Sequence, residues 1–337
     1  MNIVFTLCSN NYLAQAKIFA DSVQYYNPED KVIIGLVDEL NPGIDYSFIA
    51  SAEIIPVKQI NIPGLRELCN RYNIVELNTI VKASYIKYFI AQYSHTKNII
   101  FFDPDVRLFS SLHPLYQELD QADILLTPHI LSPTPDDGFR PQENVFLNYG
   151  IYNLGFIALR TTSEDVVKFL DWWENRIINY GYNRVADGFF VDQLWVNLVP
   201  VFYKRVHILQ SPGYNMAPWN LYERFITKTD KGYMLNDGVE LIFYHFSSFN
   251  YKEPNVLCKS FYNRFTLEDR PDLQPLYRQY HNDMINNKAE FFSQFLCSLL
   301  PQPKKDVYKP TFREKVHFWL RMCTPPIYYR FKNNFHN

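Results

Sequence analysis

Residues 99–109 read Ile-Ile-Phe-Phe-Asp-Pro-Asp-Val-Arg-Leu-Phe, an apolar strand pattern that ends abruptly in two aspartates one residue apart, Asp103 and Asp105. A buried strand gains nothing from carboxylates at its carboxyl end, whereas open α/β sheets bind their ligands there. Two neighbouring hard carboxylates suit Mn²⁺ or Mg²⁺, and such a cation suits a diphosphate, whose charge it offsets as the leaving group departs. The spacing therefore points to nucleotide-sugar chemistry. Asp-Pro-Asp is also good turn chemistry, so the motif needs partners. The candidate third ligand is His245, in Phe243-Tyr244-His245-Phe246-Ser247-Ser248. A single histidine at the end of an apolar strand also fits a core role, but Ser247, Ser248 and Lys252 add the hydroxyls, backbone N–H groups and ammonium that a diphosphate would contact.

The elements needed to position these residues alternate between strand and helix. Strand patterns cover Ile3 to Leu7, Lys31 to Val37, Glu53 to Val57, the segment before Asp103, Asp123 to Leu126 and Ile151 to Leu159. Helical periodicity covers the stretch after Asn11, then Leu77 to Tyr93, Glu164 to Tyr180 and a shorter Phe189 to Leu198. This order predicts an α/β fold with a mostly parallel sheet covered on both faces. A Pro-rich loop from Pro128 to Pro141 is long enough to serve as a lid. Tyr233 to Leu235 and Val239 to Tyr244 flank Asn236-Asp237-Gly238 and predict a hairpin.

Composition narrows the class. The 337 residues allow one large α/β domain or two small ones, and the net charge of −2 gives no polyanion-binding surface, so nucleic acid is not an expected partner. Aromatics reach 17%, which suits both a packed core and a cleft where rings meet sugars. The five cysteines, Cys8, Cys69, Cys258, Cys297 and Cys323, are odd in number and lack metal or disulfide spacing. With no signal-peptide pattern and no long apolar run, the chain is expected in the cytoplasm. From Lys304 to Asn337, eight Lys or Arg stand against two acidic residues among many aromatics, a tail suited either to an anionic lipid surface or to docking on the main domain.

Four strings in order, Asp103-Pro104-Asp105, Asn153-Leu154-Gly155, Phe190-Val191-Asp192-Gln193 and His245-Phe246-Ser247, resemble the metal motif, Asn-Ala-Gly segment, Asp-Gln segment and metal-ligand histidine of retaining family 8 glycosyltransferases. Pro212 through Leu221 adds a string similar to those of bacterial glycosyltransferases from surface-polysaccharide gene clusters. The resemblance spans roughly residues 1–255 and implies a GT-A fold. It implies that Thr6, Asn10 and Tyr12 line the nucleotide pocket, that Lys82 or Lys87 lies near metal and phosphates, and that Asn153, Asp192 and Gln193 face the donor sugar and reaction centre. It also places Asp103, Ser248 and Lys252 by the diphosphate. The chain departs from the family pattern in three places. Cys8-Ser9 replaces an acidic residue that helps read the base, Ser248 replaces a glycine, and Lys252-Glu253-Pro254 replaces a Lys-Pro pair.

The expected organisation is a catalytic domain over 1–255, with a nucleotide and metal half over about 1–127 and an acceptor half over about 128–255, then a helical extension over 256–300 and the basic aromatic tail over 301–337. Tyr214, Asn215, Trp219 and Asn220 form an aromatic and amide cluster suited to an acceptor glycan, free or lipid-linked, although loop packing also accounts for Trp219. If configuration is retained, departing phosphate can take the acceptor proton while Gln193 or Asp192 stabilises the cationic sugar. If it is inverted, Asp192 is the candidate base. Two other classes use similar residues: haloacid-dehalogenase-like phosphatases, which also carry Asp-x-Asp at a strand end, and non-catalytic nucleotide- or carbohydrate-binding proteins on a transferase fold.

Overall fold

The computed structural model describes residues 1–230, 232–236, 238–259 and 262–301. Its centre is a seven-stranded sheet. In chain order its strands are β1 (Asn2–Cys8), β2 (Lys31–Leu36), β3 (Glu53–Pro56) and β4 (Asn98–Phe102), and then, after the short β5 (Val106–Leu108), β6 (Ile124–Leu126) and β7 (Phe156–Arg160). A two-stranded ribbon, β8 (Asn183–Arg184) and β9 (Phe189–Phe190), precedes β10 (Val206–Ile208), the last strand of the large sheet. The spatial order is β10-β6-β7-β4-β1-β2-β3, with β7 antiparallel to both neighbours and every other pairing parallel. The expected mostly parallel α/β architecture is what forms.

The strands are apolar on both faces because both are covered. Ile3, Phe5 and Leu7 of β1 and Ile99 and Phe101 of β4 enter one core, while Val4, Cys8, Ile100 and Phe102 enter the other. Against the first lie α3 (Ile74–Ile80), α4 (Lys82–Gln92) and α7 (Glu164–Tyr180), and against the second α1 (Leu13–Tyr26) and α5 (His113–Gln121). The short α2 (Leu65–Arg71) precedes α3, and α6 (Glu143–Tyr149), α8 (Gln193–Val196) and α9 (Val199–Phe202) stand near the carboxyl ends of the strands or in connections.

Several elements differ from the periodicity reading. The helix expected over Leu77 to Tyr93 is two helices, since α3 begins at the Asn73–Glu76 capping box and the backbone opens at Val81 (ψ −5°) before α4. Apolar spacing continues across that break, so only the backbone reveals it. Of the strand expected over Ile151 to Leu159, residues 151–155 are irregular, because Tyr152 bridges to Pro128 and the Gly155 carbonyl accepts from Asp103 N. The helix expected over Phe189 to Leu198 starts only at Gln193, after β9 and the left-handed Val191 (φ 40°). The expected hairpin is a three-stranded ribbon of β11 (Ile226–Thr229), β12 (Gly232–Leu235) and β13 (Val239–Glu240). The following β14 (Phe243–His245) leaves it to pair with β5. The loop over 128–141 is anchored rather than free, with Leu131 N and Ser132 N donating to Glu223 and the Arg264 guanidinium donating to the Phe139 and Pro141 carbonyls.

Residues 256–300 supply α10 (Gln274–Asn286) and α11 (Ala289–Phe292), which pack on α1, so that residues 1–300 make one compact unit. Just beyond, Ser298 donates through N and Oγ to Asp38 at the end of β2. Apart from Pro301, the tail assigned to 301–337 lies outside the described residues.

Gly35 in β2 has no room for a side chain, as a Cβ there would collide with Leu7 Cδ2 and stand 2.7 Å from Tyr85 Cε1. Tyr85 is itself held by hydrogen bonds to the Leu36 and Ile55 carbonyls. Gly35→Val is expected to lower unfolding free energy by about 1–3 kcal/mol through overpacking, measured by urea denaturation; an unchanged midpoint would contradict this packing.

Candidate metal and transfer site

The site grows from the end of β4. The chain turns at Asp103-Pro104-Asp105, with Asp103 N donating to the Gly155 carbonyl (2.9 Å) and Val106 N donating to the Asp103 carbonyl (3.1 Å). It then runs into β5, whose Val106 faces His245 of β14, and Phe246 N donates to the Asp105 carbonyl (2.9 Å). Backbone pairing thus fixes the carboxylates against the imidazole. His245 Nε2 lies 3.0 Å from Asp105 Oδ1 and 3.9 Å from Asp103 Oδ2, and ligand atoms of the three residues all fall within 4.8 Å of one another. Burial pushes the Asp103 carboxyl up to about 6, with Lys82 and His245 opposing that rise and Asp105 and Asp192 adding to it. Burial alone would lower the His245 pKa, but the Asp105 and Asp103 carboxylates outweigh it and hold it above the usual value.

A second set of contacts fixes which nitrogen of His245 faces the carboxylates. Its Nδ1 is 3.3 Å from Asn153 Oδ1, and Asn153 Nδ2 is 3.3 Å from Nε2 of the buried His129. His129 Nδ1 is 3.1 Å from the Ile151 carbonyl, so it carries the proton and leaves Nε2 as an acceptor. Burial lowers the His129 pKa to about 4, which keeps it neutral. The Asn153 amide therefore donates to His129 and accepts from His245 Nδ1, which leaves His245 Nε2 to share a proton with Asp105, a proton that a bound cation would displace. Two carboxylates and one imidazole nitrogen, held by second contacts, form a set that could take a divalent cation once Nε2 gives up its proton. Gly155 permits the approach: a Cβ there would stand 2.5 Å from His245 Cε1. Trp219 sets its ring edge-on to both histidines at 5.2 Å.

Lys82 connects this centre to the Asp-Gln segment. Its ammonium pairs with Asp192 at 2.5 Å, with both side chains nearly inaccessible (2% and 3%), donates to the Leu154 carbonyl (3.0 Å) and lies 3.9 Å from the centre of the Phe101 ring. Breaking such a pair from one side leaves a buried charge and costs about 3–5 kcal/mol. Trp173 Nε1 fixes the Asp192 carbonyl. Gln193 spans the same gap, its Oε1 accepting from Leu154 N and its Nε2 donating to the Tyr149 carbonyl, both at 2.9 Å.

The predicted residues divide clearly. Asp103, Asp105, His245, Asn153, Lys82, Asp192 and Gln193 form one connected group. Lys87 does not join it, being on the α7 side between Asp171 and Glu174. Tyr12 sits at the opening, 45% exposed, its phenol pKa raised by partial burial and by Asp105 and Asp103. Thr6 is fully buried, its Oγ1 without a partner among the described residues. Asn10 is spent on the Glu39 carbonyl and the Tyr46 hydroxyl. Ser248 (φ 60°) and Lys252 are exposed, and the Lys252 ammonium lies 5.6 Å from the Tyr251 ring. Of the acceptor candidates, Tyr214 is buried, and Asn220 is consumed by Ala217 N and the His129 and Asn215 carbonyls. Asn215 is fully buried at φ 55°, and Trp219 packs on the histidines. Two residues were missed. His129 follows β6 as Asp103 follows β4, and the same strand-end signal could have found it. Tyr280 of α10, stacked on Phe246 with ring centres 3.7 Å apart, has a buried hydroxyl without a partner among the described residues, its pKa raised by burial and then by Asp105. Nothing in its local sequence marks it.

No family model matches the chain. The uncharacterized protein YfnF of Bacillus subtilis (strain 168) is 22% identical over 278 residues, covering 81% of this chain and 89% of YfnF. Among solved structures, the apo-form glycosyltransferase GlyE of Streptococcus pneumoniae TIGR4 aligns over 86% of this chain at TM-score 0.47 and 13% identity; the match takes in 64% of GlyE, less than two thirds of that longer chain. The galactosyltransferase LgtC, in complex with donor and acceptor sugar analogs, aligns over 84% of this chain and 95% of its own at TM-score 0.46 and 14% identity. The solved structures it resembles are glycosyltransferases.

His129 gives the site a pH signature. Its folded pKa of about 4 lies below the unfolded value near 6.5, so between these values the unfolded chain binds the extra proton and stability falls as pH falls. The full effect is about 3 kcal/mol, present above pH 6.5 and lost by pH 4. His129→Gln, which keeps an acceptor for Asn153 but does not titrate, is expected to remove that component when urea stability is compared with wild type across this range. Parallel pH profiles for the two proteins would contradict the neutral buried imidazole.

Proposed function

We propose that the chain is a metal-dependent glycosyltransferase that moves a sugar from a nucleoside-diphosphate donor, UDP by its resemblance to family 8 enzymes although Cys8-Ser9 replaces their base-reading acidic residue, to a glycan or lipid-linked glycan. The observation that carries this reading is the convergence of Asp103, Asp105 and His245 Nε2 at the carboxyl end of β4, with the imidazole oriented by Asn153. A divalent cation bound there supplies positive charge to the diphosphate oxygens of the leaving group. The chain's own residues hold the centre rigid: Asn153 orients the imidazole, and Lys82 adds a fixed cation within reach of Asp103.

The proposed step breaks the bond between the sugar C1 and the diphosphate oxygen, forms a bond from C1 to an acceptor hydroxyl oxygen, and passes the hydroxyl proton to the departing phosphate. Asp192 is committed to Lys82 in a buried pair, which makes it a poor mobile base and favours the retaining course. A phosphatase of the Asp-x-Asp type needs further carboxylates on its cation; among the described residues the third ligand group is an imidazole. A cytoplasmic location rests on the odd number and spacing of the cysteines in the sequence, and no helix among the described residues is long and apolar enough to cross a membrane. A role in bacterial surface-polysaccharide synthesis rests on the sequence resemblance, and contact of the tail with anionic lipid on its composition.

A thermal-shift panel of UDP, GDP, CMP and dTDP, each with and without Mn²⁺, tests this reading. Ligand at a hundredfold excess over Kd adds about 2.7 kcal/mol to the native state. UDP is expected to raise the melting temperature only with Mn²⁺, and Asp105→Ala to abolish the shift. A shift indifferent to Mn²⁺, or none with any nucleotide, would overturn it.

A further inference from the structure

The acceptor residues expected from sequence are mostly buried and hydrogen-bonded within loops, so an acceptor glycan needs another surface. A cavity of about 650 Å³ lies between the 128–141 loop and α6, lined by Asp136, Phe139, Arg140, Asn144, Asn148 and Tyr149 among others. Its chemistry is unlike that of the core. Asp136, Arg140, Asn144 and Asn148 are all exposed, and among the described residues their side chains have no hydrogen-bond or ion-pair partner. Asn144 and Asn148 stand one helical turn apart and so share a face of α6. Phe139 leaves 45% of its surface in water beside them.

The wall is held in place from several directions. Asn263 accepts from Arg140 N, Arg264 donates to the carbonyls on either side of Arg140, and Thr134 Oγ1 donates to Gln142 Oε1. The cavity also adjoins the transfer site. The Tyr149 carbonyl on its wall accepts from Gln193, which accepts from Leu154 N, and the neighbouring Asn153 orients His245.

We infer that this cavity is the acceptor subsite and takes an oligosaccharide. Amide, carboxylate and guanidinium groups together supply both donors and acceptors for ring hydroxyls, and an exposed aromatic ring offers a face for the sugar's C–H groups. One cation and one anion in the same cavity disfavour a polyphosphate, and the polar lining disfavours an apolar ligand. The inference rests on the glycosyltransferase reading and specifies where its second substrate binds.

A printed array of bacterial glycans, probed with the full-length protein carrying UDP and Mn²⁺, is the test, with bound oligosaccharides then titrated by calorimetry. Wild type is expected to bind a subset of glycans. Arg140→Ala and Asn148→Ala are expected to weaken that binding about tenfold each, the scale of a lost charged or amide hydrogen bond, and Phe139→Ala likewise, while all three keep the wild-type UDP and Mn²⁺ thermal shift. Absence of any bound glycan, or binding that all three variants leave unchanged, would overturn the acceptor subsite. Loss of the UDP and Mn²⁺ shift in wild type would instead overturn the transferase reading.

Discussion

Among the described residues, three carboxylates, Asp103, Asp105 and Asp192, gather near the carboxyl end of β4 with a single lysine, and the rest of the site follows from that imbalance. Lys82 neutralises Asp192 in a setting where an unpaired charge is not tolerated. The other two carboxylates remain beside an imidazole, the Asp103 carboxyl already pushed up to about 6 by burial. The same carboxylates favour a proton on His245, which a divalent cation bound at its Nε2 would displace, leaving an excess of two negative charges to match the ion. The same low dielectric that makes the cluster costly when empty of positive charge makes it selective for charge when filled.

The fold keeps this cluster rigid by using backbone for almost every placement. Asp103 N is bonded to Gly155, the Asp105 carbonyl to Phe246 N, and β5 to β14, so the candidate metal ligands sit at a strand end and in a bonded turn between strands rather than on a free loop. Gly155 has no room for a Cβ, and its absence lets Asn153 and His245 close on each other. The Asn153 amide is then pinned by a histidine that donates elsewhere, and it holds His245 Nδ1 as a donor.

Much of this was legible in the sequence because strand-end polarity is a strong signal. Asp103, Asp105 and His245 each interrupt an apolar run where a core strand would continue, and the structure brings them together. Alternation of strands and helices gave the sheet, and the 3.6-residue period gave α7 over Glu164–Tyr180. What stayed hidden depends on backbone or long-range contact. The break at Val81, which turns Lys82 inward and leaves Lys87 outside, leaves apolar spacing intact. Likewise, Asn220 looks like a sugar ligand by type, but its amide is spent on Ala217 N and the His129 and Asn215 carbonyls. Tyr280 reaches Asp105 only because a helix far along the chain packs on α1.

The central claim is that His245 Nε2 is a ligand of a divalent cation held with Asp103 and Asp105. Pulsed electron paramagnetic resonance of the Mn²⁺-loaded protein tests it most directly, because a coordinated imidazole nitrogen imprints its nuclear modulation on the manganese signal. The account predicts one directly bound nitrogen in wild type and none in His245→Asn, with Mn²⁺ bound more weakly in the variant. Mn²⁺ bound through oxygen alone in wild type would contradict it.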